Sequence, residues 1–203
     1  GNSVRANAES GGGMVGSGLY LLRDANKDGK AELVKKLATG SGSGIALANG
    51  YIYHSSARTI VREKYTVGDT VVGPTEIVIE GLYAGGHTAN NFVILGTTLY
   101  LNIGSGTNSC QENDRQPQSK GIDPCIELET RAGVWSFDAN KLGQKVTDGV
   151  RFATGMRNSV SLTVNPADKS LWATMHGRDG LQAPPVGQWT RTNEYGSENP
   201  GEQ

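Results

Sequence analysis

The chain has 203 residues, 19 Lys and Arg against 20 Asp and Glu, and a net charge of −1, which excludes a strongly basic nucleic-acid stripe and gives no electrostatic case for a membrane surface. Glycine fills 29 positions, about twice its usual share, while hydrophobic residues make up only 36 %. No apolar run approaches the roughly 18–20 residues of a membrane span, and residues 1–20 lack a charged stretch followed by an apolar core; a leader removed on maturation would leave no trace.

High glycine and short apolar runs predict many short strands joined by tight turns. In chain order, Gly18–Arg23 reads as a strand running into the turn Asp24-Ala25-Asn26-Lys27-Asp28-Gly29. The Asp24-x-Asn26-x-Asp28-Gly29 pattern resembles the start of a calcium loop. An EF-hand needs a bidentate Glu at the twelfth position, and that position is Lys35, so an Asx-rich hairpin turn is the preferred reading. Ala31–Leu37 is the best helix candidate, although seven residues is short for a helix. Gly44–Leu47, the turn Asn49-Gly50 and Tyr51–Ser56 then form a hairpin, since Asn-Gly suits a turn whose two central residues need positive φ. Thr59–Tyr65 and Glu76–Ile79 read as outer strands, and Tyr83-Ala84-Gly85-Gly86-His87-Thr88 as a loop.

The hairpin pattern recurs. Asn91–Ile94, Gly96-Thr97 and Leu99–Gly104 make the second copy; Gly133–Asp138 follows as another outer strand; Val160–Val164, Asn165–Asp168 and Leu171–His176 make the third. Ile52, Tyr100 and Trp172 occupy equivalent places, 48 and 72 residues apart, and the larger spacing holds an insertion from Cys110 to about Glu129. Without it the period is near 50, the repeat of a propeller blade. Three or so blades at about 45–50 residues consume the chain, whereas ring closure takes four or more. The expectation is an all-β chain forming about half of a β-propeller, residues 1–203 being one incomplete domain, with the remaining half supplied from elsewhere.

The segment between Cys110 and Cys125 is polar and cannot support itself with a core. A disulfide closing it would contribute about 3 kcal/mol in the chain-entropy model, and would place the protein in an oxidising compartment, periplasmic or secreted. Two free thiols in a reducing compartment are the alternative. Zinc is disfavoured, because two more nearby ligands are missing. Of three histidines, His54 at a strand end reads as structural. His87 follows two glycines, which permit close approach of another molecule to the backbone. Arg157-Asn158 stands before the third hairpin as His87 stands before the second, and His176 follows the third. Equivalent strand ends related by rotation would share one rim, bringing a base, a cation and an amide to one mouth of a central channel.

These residues resemble the glucose/sorbosone dehydrogenase family, the soluble PQQ-dependent sugar dehydrogenases, and most closely its sorbosone dehydrogenase-like branch. The resemblance runs from about residue 18 to the end. It rests on Leu21-Leu22-Arg23-Asp24, Asp28-Gly29-Lys30-Ala31, Gly85-Gly86-His87, Leu99–Ser105 with Asn108-Ser109-Cys110, Asp123-Pro124-Cys125, Arg131–Trp135, Gly155-Met156-Arg157-Asn158 and His176-Gly177-Arg178-Asp179. It implies a six-bladed propeller with the quinone on its axis. His87 would be the base that removes the sugar hydroxyl proton, with hydride passing to PQQ. Arg157 and Asn158 would bind the anionic PQQ, and the carbonyls of Gly177 and Arg178 would help hold Ca²⁺. An external electron acceptor completes the cycle. Where the bacterial glucose dehydrogenases carry an acid that orients the base, this chain has Ser105. Two further readings remain open: a non-catalytic propeller that binds glycan or protein, and a calcium-dependent lactonase.

Overall fold

The computed structural model describes residues 16–116 and 119–179. The resemblance over residues 180–203 and the ends of the 1–203 domain lie outside the described residues. Thirteen strands follow in order: β1 (Leu19–Arg23), β2 (Leu33–Ala38), β3 (Ile45–Ala48), β4 (Tyr51–Ser55), β5 (Ile60–Lys64), β6 (Thr75–Glu80), β7 (Phe92–Leu95), β8 (Thr98–Ile103), β9 (Gly133–Asp138), β10 (Gln144–Lys145), β11 (Val150–Thr154), β12 (Ser159–Val164) and β13 (Leu171–Met175). Two short 3₁₀ turns, Ile126–Glu129 and Val146–Asp148, are the only helical elements among the described residues. No helix there is long and apolar enough to cross a membrane.

The all-β expectation holds, and the hairpins fall where the sequence places them. β3–β4–β5–β6 form an antiparallel meander with the short β10 added parallel at its outer edge; β7–β8–β9–β11 form a second; β1–β2 and β12–β13 are two-stranded. Asn49 and Gly50 take φ of 53° and 78°, the doubly positive pair that a two-residue hairpin turn demands. Ala31–Leu37 is a correction. Its helix-forming Ala, Glu, Leu and Lys give way to β2, which pairs antiparallel with β1 from Arg23 opposite Leu33 to Leu19 opposite Ala38. A helix this short cannot offset the cost of nucleation, whereas the existing edge of β1 supplies a ladder.

The core lies between the two meanders. Tyr53, Ile60, Val78 and Ile79 from one pack with Phe92, Leu99, Leu101 and Phe137 from the other, all 5 % exposed or less. Polar ties fix their relative position. The Tyr53 hydroxyl and Arg62 Nη1 both donate to Ala139 O, at 3.1 and 3.2 Å, across 86 and 77 residues of sequence. A Cβ on Gly44 would lie 2.5 Å from the Phe92 ring and 2.7 Å from Asn90 O, so close sheet contact there requires glycine. The strands β3, β7 and β12, each the first of its hairpin, lie side by side in that order, which gathers the segments preceding and following the hairpins.

Candidate active site

His87 sits on a loop laid directly against residues 104–106. A Cβ on Gly86 would lie 2.5 Å from the carbonyl oxygens of Ser105 and Gly106, and one on Gly104 would lie 2.1 Å from His87 O. Both contacts are with backbone, so these positions admit glycine alone. The His87 N–H donates to Ser105 O at 2.9 Å. Its Nδ1 lies 3.0 Å from Ser105 O and 3.0 Å from Ser105 Oγ, while that hydroxyl donates to Thr107 O at 2.7 Å. A carbonyl can only accept, and the serine proton is already committed. Nδ1 therefore carries the ring hydrogen, and Nε2 keeps the lone pair that a general base needs. Half-buried His87 is held below the ordinary imidazole pKa, first by desolvation and then by the charge of Arg157, with Asp179 opposing.

Arg157 is buried to 1 % exposure and joins three segments. Its backbone carbonyl receives the Ser105 N–H at 2.8 Å. Its guanidinium donates from Nε to Asn108 O at 2.9 Å, from Nη2 to Asn108 Oδ1 and Asp179 Oδ2 at 2.8 Å each, and from Nη1 to Gly177 O at 2.6 Å and His176 O at 3.3 Å. All five N–H groups are thus spent within the chain. The resemblance implies Arg157 as a direct ligand of the anionic PQQ; in this structure its donors face Asn108, His176, Gly177 and Asp179. Asn108 and Asp179, absent from that reading, complete the clamp. Asp179 also accepts from Arg115 Nη2 at 2.8 Å, and Arg115 and Arg157 together hold its carboxyl below the usual range.

His87 and Arg157 thus meet at one shelf, Ser105. Asn158 follows Arg157 directly and its carbonyl accepts the His176 N–H at 2.7 Å; beside it Asn102 Oδ1 accepts the Ser159 N–H at 3.2 Å and Asn102 Nδ2 donates to Asn91 Oδ1 at 3.3 Å. Asn158 Oδ1 and Asn91 Nδ2 are buried with no hydrogen-bond partner. Such atoms call for a bound water or ligand. Gly177 O accepts from Arg157 with one lone pair, and a Cβ on Gly177 would meet nothing within 4 Å, so this strand end is open. Exposed His176 supplies only its backbone here.

Cys110 and Cys125 form a disulfide. Breaking it is expected to lower the insertion's local stability by about 3 kcal/mol. Limited proteolysis of a Cys110→Ser/Cys125→Ser double variant checks this, through faster cleavage between residues 110 and 125.

Two other sequence candidates resolve as follows. His54 is buried and its Nε2 lies 3.1 Å from Glu63 Oε1 within the first meander. The Asp24–Gly29 turn is Asx-built: Asp24 accepts from the Asp28 and Gly29 N–H groups and Asn26 Oδ1 from Asp28 N–H. Exposed carboxylate oxygens of Asp24, Asp28 and Glu32 lie within 4.8 Å of one another. Glu32 belongs to that group through the β1–β2 pairing, which the helical reading of residues 31–37 conceals.

The fold and site define an all-β chain carrying an oriented imidazole beside a buried guanidinium clamp. It belongs to the TrAA12-like family, whose model matches residues 15–203. Family AA12 comprises PQQ-dependent pyranose dehydrogenases, so the resemblance to the PQQ-dependent sugar dehydrogenases holds at family level. No curated protein matches the sequence. The fold is similar to the iodide structure of Trichoderma reesei Carbohydrate-Active Enzymes Family AA12, with TM-score 0.65 and 17 % identity over 83 % of this chain and 43 % of that one. It is similar to the calcium structure of the same family from that organism, with TM-score 0.64 and 17 % identity over 83 % and 44 %. It is similar also to the holo form of the pyranose dehydrogenase PQQ domain from Coprinopsis cinerea, with TM-score 0.63 and 20 % identity over 83 % and 41 %. The chain therefore spans less than half the length of these structures.

Proposed function

We propose that this chain is part of a PQQ-dependent sugar dehydrogenase in which His87 is the general base. The observation that carries the reading is the fixed tautomer: Ser105 holds the hydrogen on Nδ1 and leaves Nε2 free to accept a hydroxyl proton. Family membership supports the reaction class. The pyranose dehydrogenase PQQ domain from Coprinopsis cinerea, alike in fold, supports the cofactor. Among pyranoses and related sugars, an aldose or sorbosone-type substrate fits the branch that the sequence resembles.

The residues fit the cofactor in part. Asn158, with an unpartnered buried amide oxygen, suits a polar ligand. Arg157 does not fit as a direct ligand, and acts as a fixed positive charge behind the site. The main-chain oxygens of Gly177 and Arg178 would hold Ca²⁺, a hard cation that takes carbonyl ligands; the calcium structure of the Trichoderma reesei protein is consistent with an ion in this family. When bound, PQQ supplies the acceptor for hydride from the sugar carbon. The chain's own part is to orient that carbon's hydroxyl toward Nε2 and to take its proton.

A six-bladed ring would require strands from outside the described residues. The exposed Val160, Trp172 and Met175 of the β12–β13 hairpin offer apolar surface for such a neighbour. The disulfide fits a secreted or periplasmic protein, and an external acceptor would reoxidise the cofactor.

The full-length protein containing this chain, given PQQ and Ca²⁺ and assayed by dye reduction with a panel of aldoses, is expected to turn over only when both are present. No turnover with a competent quinone would remove the dehydrogenase reading. Lactone hydrolysis with Ca²⁺ alone would replace it with a lactonase, and glycan binding without turnover with a binding propeller.

A further inference from the structure

Just after the loop closed by Cys110 and Cys125 stands Glu127, a buried carboxylate that the reaction as described above does not use. Its Oε2 accepts from Thr107 Oγ1 at 3.2 Å and from Thr107 N–H at 3.4 Å. The Thr107 hydroxyl oxygen in turn accepts from Cys110 N–H at 2.9 Å, tying it to the disulfide. The Thr107 carbonyl takes the Ser105 hydroxyl proton at 2.7 Å, and both Ser105 oxygens face His87 Nδ1. On its other side Glu127 Oε1 lies 3.7 Å from Arg131 Nε, and the Arg131 guanidinium stacks 4.0 Å over the ring of Tyr83, at the start of the His87 loop. One carboxylate therefore braces both loops that meet at His87. A Cβ on Gly106 would fall 2.6 Å from Glu127 Oε1, so the brace lies flat against that backbone.

We propose that Glu127 is a positioning residue for His87: through Thr107 it commits the Ser105 hydroxyl away from Nδ1, so that Ser105 replaces an orienting carboxylate and fixes the tautomer with Nε2 free. The proposal rests on the dehydrogenase reading for its purpose and on geometry for its content. The charged groups that act on His87, Arg157, Arg115 and Asp179, are untouched by it.

The test uses the full-length protein with ¹⁵N-labelled histidine. In the unchanged protein, the His87 nitrogens are expected to show a protonated Nδ1 and an unprotonated Nε2 at neutral pH. Glu127→Ala is expected to mix the two tautomers and to lower kcat about 10- to 100-fold, as misplacement of a reacting group does, with the sugar KM unchanged. Glu127→Gln, which keeps an acceptor for Thr107, is expected to restore most of both. Thr107→Val keeps the shape but removes the hydroxyl that links Glu127 and the Cys110 N–H, leaving the Thr107 N–H contact to Glu127 in place. It is expected to mix the tautomers to a lesser degree and decides the matter alone if Glu127→Ala does not fold. His87 shifts identical to the unchanged protein in every folded variant would overturn the proposal. Turnover retained in His87→Gln would remove the general-base role of His87 instead, whatever the nitrogen shifts show, and no turnover in the unchanged protein with PQQ and Ca²⁺ would sink the dehydrogenase reading.

Discussion

Replacing His87 with Gln is expected to lower turnover by about 10²- to 10⁴-fold, the usual contribution of a positioned general base, while leaving PQQ affinity nearly unchanged. The glutamine amide fills the space and still donates toward Ser105, but it has no basic nitrogen. The same site fixes a pH profile. Desolvation, and after it the Arg157 charge, favour the neutral imidazole, so the acid limb of kcat/KM is expected below pH 6.5. Activity rises as pH climbs through that limb, because only the unprotonated ring accepts a proton. Steady-state kinetics across pH, with cofactor titration of each variant, checks both. A limb above pH 6.5, or equal losses of turnover and cofactor affinity, would show that His87 serves another role.

Arg157→Leu is expected to destabilise the protein by about 3 kcal/mol or more before any cofactor is added. Five donors would vanish, leaving the acceptors on Asn108, Gly177 and His176 and the Asp179 carboxylate without their cation. Removing one partner of a buried charged network costs about 3–5 kcal/mol. Arg157→Lys keeps the charge and is expected to rescue little, since an ammonium has three donors and cannot span acceptors arranged around a planar fork. Denaturant unfolding of the cofactor-free protein measures this. Unchanged stability together with lost PQQ binding would return Arg157 to the ligand role that its place in the sequence suggests.

The two halves of the site were unequally legible. His87 stands out because two glycines precede it, and the structure shows why the second is needed: a Cβ on Gly86 would lie 2.5 Å from the carbonyl oxygens of Ser105 and Gly106 where the two loops touch. Ser105 reads in the sequence as the absence of an acid, yet its two oxygens do the orienting, one of them on the backbone and so invisible in residue type. Arg157 reads as a cation near a channel. That it is spent depends on Asn108 and Asp179, 49 and 22 residues away along the chain. No periodicity reports such a meeting. Asn108 and Asp179 both stand within the stretches that carry the family resemblance, so the signal was present without its meaning.

Residue order alone determined the all-β class, the three hairpins and the polar loop between the cysteines. These depend on alternation, on positive-φ turn residues such as Asn49-Gly50, and on composition, all expressed within a few neighbouring positions. Only the tertiary structure decided that residues 33–38 are a strand, that the guanidinium of Arg157 is saturated, and which imidazole nitrogen is free. Each of those depends on a partner brought close by packing: an open strand edge, three converging loops, a hydroxyl whose proton is already given away.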